Sequence, residues 1–264
     1  MIYGDAKSSF DLRFRLFGFP VRVSPYFFLI SGLIGADIAL QPNLGWTYLL
    51  LWIGLMFVSI LLHELGHALA YRLFGSPAEI TLHGFGGYAQ GYRLPKPWQR
   101  IIVSLAGPVA QLLFAAFVWG SAYFTNWPNP NNNYLKFTFI FLLMMNIYWA
   151  LFNLMPMLPL DGGNVMREVL AIARLRNPDA TAHILSVGVA GLLALRGVAA
   201  LANFKIPVVD DVLPKWLVPG QFLTFWLILL AIDNAQMYQR FRQRGSRDFY
   251  DGGYNDDTPP WRRR

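Results

Sequence analysis

The stretch from Trp46 to Phe74 is almost wholly apolar. As a helix it is long enough to cross a bilayer core about 30 Å thick. Its C-terminal half carries His63-Glu64-Leu65-Gly66-His67. On a helix, His63 and His67 lie one turn apart on the same face, where two imidazoles can hold one metal ion. Glu64 sits beside them and can take a proton from water. Three ionisable side chains in hydrocarbon are costly unless they act together. The combination points to zinc-dependent hydrolysis within a membrane.

The remainder of the chain agrees with a membrane setting. Of 264 residues, 55% are hydrophobic and only 14% charged, against about a quarter charged in a soluble domain. Apolar runs at roughly 26–44, 47–74, 99–124, 135–157, 181–203 and 219–239 predict an all-α polytopic protein with six transmembrane helices. Between the second and third runs lie Gly84, Gly86, Gly87 and Gly91, flanked by the β-prone pieces Glu79–His83 and Tyr88–Tyr92. This reads as a small glycine-rich, hairpin-like insertion. After the fourth run comes a turn, Pro159-Leu160-Asp161-Gly162-Gly163, and a short helix is expected over Asn164–Arg176. Residues 1–242 read as one membrane-embedded domain with its core at about 47–175, and 243–264 as a disordered cytoplasmic tail. Met1–Pro25 lacks the early apolar core of a cleavable signal peptide.

Charge placement sets an orientation. Eighteen of the 22 Lys and Arg residues precede the first run, flank or lie in the connection between the second and third, follow the fourth, or lie beyond the sixth. Only Lys136, Lys205 and Lys215 fall on the other side, and Arg196, well within the fifth run, is counted on neither. By the positive-inside rule both termini are cytoplasmic. The net charge of +7 is then a signature of topology, and a nucleic-acid partner is not expected. The expected setting is the plasma membrane.

With no cysteine in the chain, any metal must be held by His, Asp or Glu. A catalytic zinc takes three protein ligands and keeps one open position. The candidates for the third are Asp161, His83, His183, Asp37 and Asp233. Asp161 is best placed, at the inner end of the fourth run, where Pro156 and Pro159 break the helix. Its competing reading is a helix N-cap. Asn153 could donate to a substrate carbonyl or oxyanion, or could satisfy backbone groups freed by Pro156. A strand edge around residues 84–91, including Gly86 and Gly87, could hold an unwound substrate by β-augmentation.

These residues resemble the site-2 proteases, intramembrane zinc metalloproteases. His63-Glu64-Leu65-Gly66-His67 is similar to the family's zinc motif. Asn153-Leu154-Met155-Pro156 followed by Leu160-Asp161-Gly162-Gly163 is similar to its second motif. Ala106-Gly107-Pro108, Gly84-Phe85-Gly86-Gly87 and Phe19–Pro25 resemble weaker family features, although many members have His where Ser24 stands. The resemblance covers roughly residues 10–175 and resembles compact members that lack PDZ or CBS modules. It implies one Zn2+ per chain held by His63, His67 and Asp161, with Glu64 as catalytic base and Asn153 in substrate binding. The implied partners are transmembrane protein substrates and the lipid bilayer. The sequence leaves the oligomeric state open. Other readings are a peptidase of soluble flanks using Glu168 or Glu79 as third ligand, a non-catalytic scaffold, and a metal transporter using the same His/Asp cluster.

Overall fold

The computed structural model of the protein describes residues 10–41, 44–84, 86–92, 94–125, 132–204 and 220–252. Several residues of the charge count, among them Lys7, Arg93, Lys205 and Lys215, lie outside them, as do Phe85 of the glycine-rich motif and 253–264 of the expected tail. The chain divides into two compact units, Met1–Leu154 and Met155–Arg264.

The first unit combines a small sheet with long helices. Strands β1 (Leu12–Leu16), β2 (Phe19–Val23), β3 (Ala78–His83) and β4 (Gly86–Gly91) form one sheet in the order β1-β2-β3-β4. The β1–β2 and β3–β4 pairs are antiparallel and β2–β3 is parallel. The expected hairpin is therefore half of a four-stranded sheet. Its other half was written in Leu12-Arg13-Phe14-Arg15-Leu16 and Phe19/Val21/Val23, which alternate with period two. Phe17 and Gly18 join these strands with positive φ at both positions, 49° and 83°, as a tight hairpin turn requires.

Helix α1 (Pro25–Ile34) and α2 (Ala36–Leu40) occupy the first apolar run. They replace the single helix expected there, because the chain breaks at Gly35. A Cβ at Gly35 would lie 2.7 Å from the Trp52 ring. Trp52 also donates to the Ser31 carbonyl at 3.2 Å. Next come α3 (Trp46–Leu73), α4 (Pro97–Thr125) and α5 (Asn133–Asn153). The α5 helix stops before residue 157 because Pro156 disfavours helical geometry at Met155. The inner face of the sheet, with Phe19, Val21, Val23, Ile80 and Leu82, packs on Met56, Ile60, Leu61 and Leu65 of α3. The second half of α3 is thus enclosed, which is where the histidines lie.

Among the described residues, four helices are long and apolar enough to cross a membrane: Trp46–Leu73, Pro97–Phe124, Asn133–Asn153 and Pro178–Leu201. Their outward positions carry large apolar side chains such as Leu113 (66% exposed) and Phe117 (69%). In water a stripe of this kind would be costly; against lipid it is not.

The second unit holds α6 (Asp161–Ile172), α7 (Pro178–Leu201) and α8 (Gln221–Gly252). Helix α6 begins three residues earlier than expected, with Leu160 in the N-cap position. Helix α7 starts with Pro178 in its first turn, the one helical position where a missing N–H costs nothing. Gly197 of α7 lies against Thr224 of α8, where a Cβ would collide with the threonine side chain. Small residues at such points let helices approach closely. Arg196 is buried at 3% exposure and does not snorkel outward. Helix α8 runs through Gly252, past the expected tail boundary at 243, since Gln239–Arg244 is rich in helix-forming Gln and Arg.

Candidate metal centre

Helix α3 places Ser59, His63 and His67 on one face at four-residue spacing. His63, Glu64 and His67 are 3%, 4% and 7% exposed. Helix α4 lies directly over them. A Cβ at Gly66 would meet the Ala106 carbonyl oxygen at 2.5 Å. A Cβ on Gly107 would collide with the His67 ring and approach His63 Cε1 to 2.9 Å. The small pair Ala106-Gly107 therefore makes room for two imidazoles between the helices.

Each imidazole is held from behind. His67 Nδ1 lies 2.7 Å from the Val103 carbonyl, which only accepts, so Nδ1 carries the proton. Pro108 sits inside α4. A proline inside a helix removes one backbone N–H donor and crowds the turn before it. His63 Nδ1 lies 2.9 Å from Gln111 Oε1. The Gln111 amide cannot be turned round, because its Nε2 donates to the Ser59 carbonyl at 3.3 Å. His63 Nδ1 therefore donates as well. Asn146 of α5 extends the chain by donating to Ser59 Oγ at 3.1 Å.

Both proton assignments leave a lone pair on Nε2, and the two Nε2 atoms are 3.1 Å apart. Two acceptors that close together repel unless a cation lies between them. Two nitrogens bound tetrahedrally to zinc at about 2.0–2.1 Å are about 3.3 Å apart. The donor pair matches that bite, and Gln111 and the Val103 carbonyl are outer partners of the kind that orient metal-bound imidazoles.

Glu64 lies against the sheet. A Cβ at Gly87 would stand 2.7 Å from Glu64 Cγ and 2.9 Å from its Oε1. The bare backbone of β4 thus passes beside the carboxylate. Gly86 pairs with His83 at the start of that strand and has φ 136°. Asn153 is at the end of α5, 9% exposed, and its Nδ2 donates to the Trp149 carbonyl at 2.9 Å. Of the expected site residues, the first unit brings together His63, Glu64, His67 and Gly87.

Asp161 belongs to the second unit, at the first position of α6. It does not act as N-cap, since Leu160 holds that position. Of the other ligand candidates, His83 closes β3 with its ring 5.7 Å from that of Tyr88. His183 pairs with Asn234 at 2.8 Å. Glu168 lies 3.4 Å from Arg167. Gln111 was not singled out from the sequence. Its signal was an amide in an apolar helix, four residues after Gly107 and so on the same face.

Comparison with known proteins agrees with the motifs. The family model of Peptidase family M50 matches residues 51–136 and 129–195. A Synechocystis sp. protein, sll0528, carries a provisional zinc metalloprotease name and is 40% identical over 59% of this chain and 42% of its own length. Zinc metalloprotease MJ0392 of Methanocaldococcus jannaschii is 30% identical over 60% of this chain and 44% of its own. The chain thus spans less than half the length of these relatives. The solved structure of a site-2 protease from M. jannaschii superposes with a TM-score of 0.55 at 22% identity, covering 86% of this chain and 95% of that one, and shows the same fold. The paired histidines, the small-residue crossing of α4 and the family match lead to one assignment: the chain belongs to peptidase family M50, the site-2 proteases.

Proposed function

We propose that this protein is an intramembrane zinc metalloendopeptidase, cutting membrane-embedded protein substrates. The observation that carries the reading is the facing pair of Nε2 lone pairs at 3.1 Å, each ring fixed by its own Nδ1 partner. His63, His67 and Asp161 would hold one zinc ion. For Asp161 the support is its place in Leu160-Asp161-Gly162-Gly163 and its release from capping duty. Bound zinc supplies Lewis acidity, which acidifies water and polarises a carbonyl.

The chain's own residues supply the rest. Glu64 takes the proton of the attacking water on its carboxylate and delivers it to the departing amine nitrogen. Its burial keeps bulk water from competing. Asn153 contacts the substrate backbone with the N–H that Trp149 does not use. A substrate helix hides its carbonyls in its own hydrogen bonds and must be extended first. Strand β4 has only β3 beside it among the described residues, and it runs past Glu64. Its other edge, with Gly86 and Gly87, receives the substrate as an added strand.

The protein is an integral membrane protein. The finer topology proposed is six spans, with residues 26–44 and 219–239 as the first and last and both termini cytoplasmic in the plasma membrane. The basic-residue distribution supports it. Residues 1–242 act as one membrane domain in this reading and 243–264 as a cytoplasmic extension. The partners are transmembrane protein substrates and lipid.

The purified chain, reconstituted with a single-span protein substrate, is expected to cut it, to stop when a chelator removes zinc, and to resume on zinc addition. Cleavage that survives zinc removal would refute the metal assignment. Ala89→Pro tests the strand edge. Loss of one or two strand hydrogen bonds, about 1 kcal/mol each, should lower cleavage roughly tenfold with zinc content unchanged. Wild-type cleavage would remove β4 from substrate binding.

A further inference from the structure

We propose that Ser186 of α7 and Asn234 of α8 are positioning residues for Asp161, acting through the backbone of Leu158. The inference rests on the reading of Asp161 as a zinc ligand and assigns a task to the last two long helices.

Leu158 lies three residues before Asp161, in the non-helical link that precedes α6. At membrane depth such backbone persists only where its polar groups are satisfied by protein. Both polar groups of Leu158 are met by buried side chains. Its N–H donates to Ser186 Oγ at 2.8 Å, and its carbonyl accepts from Asn234 Nδ2 at 2.8 Å. Ser186 and Asn234 are 0% and 1% exposed.

Neither side chain is free to swing. The Ser186 hydroxyl donates to the Ala182 carbonyl at 2.7 Å, which leaves its oxygen to accept. The second Asn234 N–H donates to the Leu230 carbonyl at 2.9 Å. That fixes the amide orientation and turns Oδ1 toward His183 Nδ1, 2.8 Å away. The clamp is therefore a closed network in which each donor has one acceptor.

The hold passes to Asp161 through a short, stiff path. Met157 is 0% exposed and Leu160 is 8% exposed. Asn164, one turn into α6, donates back to the Pro159 and Leu160 carbonyls at 3.3 and 3.2 Å. Gly163 is pressed onto the Met157 carbonyl so closely that a Cβ would collide with it. The first turn of α6 thus has one seat on this link. Moving Leu158 moves the carboxylate that Asp161 offers.

The test is zinc affinity of the full chain in detergent, measured by competition with a chelator, together with thermal unfolding. Asn234→Leu keeps the size and removes the clamp. It should weaken zinc binding about 10- to 100-fold, the range seen when outer partners of metal ligands are lost. In an Asp161→Ala background, already weakened, the same change should add less than about twofold. A merely structural role would lower the melting temperature equally in both backgrounds and leave zinc affinity alone, which overturns the proposal. Should Asn234→Leu not fold, Ser186→Ala decides, with at least a fivefold weakening expected and wild-type affinity counting against the clamp. If Asp161→Ala itself leaves zinc affinity unchanged, the ligand reading fails first and the clamp falls with it.

Discussion

Glu64→Gln is expected to lower peptide hydrolysis by at least about 10³-fold while zinc stays bound at the wild-type level. Glutamine has the same shape, so the packing against Gly87, whose bare backbone borders Glu64 Cγ and Oε1, is kept. What is lost is the carboxylate next to His63 in sequence that can accept a proton and pass it on. The check is a paired measurement on purified protein, turnover of a transmembrane substrate and zinc per chain. Loss of zinc together with activity would make Glu64 a ligand. Retained turnover would exclude it as the base.

Gly107→Ala is the second large effect, and in the zinc-site reading it acts on the metal without replacing any of the proposed ligands. The added methyl would collide with the His67 ring and come within 2.9 Å of His63 Cε1. Neither ring can retreat easily. His63 is tied to Gln111 and His67 to the Val103 carbonyl. The helices cannot part at small cost, since Gly66 already brings α3 against the Ala106 carbonyl. Zinc affinity should fall at least about 100-fold, with activity falling alongside. Gly120→Ala in the same helix meets nothing within 4 Å. It should behave as wild type or gain slightly, since alanine is the better helix former. Equal zinc affinity in Gly107→Ala and wild type would show that α4 does not constrain the histidines.

The contrast between these glycines illustrates what the sequence could and could not reveal. The His63–His67 spacing dictates a shared helical face whatever the surroundings, so that this part of the candidate site was legible at once. Ala106-Gly107-Pro108 could be recognised as small and helix-bending. Which side chains it makes room for depends on how two helices cross, and no local pattern encodes that. Gln111 was hidden for the same reason: its partner is 48 residues away.

The long helices α3, α4, α5 and α7 fell close to their apolar runs, because length and hydropathy alone decide them. The run at 26–44 did not give one helix, since Gly35 answers to the packing of Trp52. Strands β1 and β2 alternate with period two, but at five residues each they are too short for the alternation to mark a sheet by itself. The parallel pairing of β2 to β3 across more than fifty residues is a tertiary fact. Asp161 could be singled out through its motif, whereas the side chains that seat its loop come from Ser186 and Asn234, far along the chain.

The sharpest test of the intramembrane protease reading is the position of the cut. Fragments from membranes of cells carrying the wild-type chain, compared with Glu64→Gln cells by terminal-peptide mass spectrometry, should include new ends inside the apolar spans of membrane proteins. Those ends should vanish in the variant. Identical fragment sets, or ends confined to soluble flanks, would contradict peptide hydrolysis within the membrane by this chain.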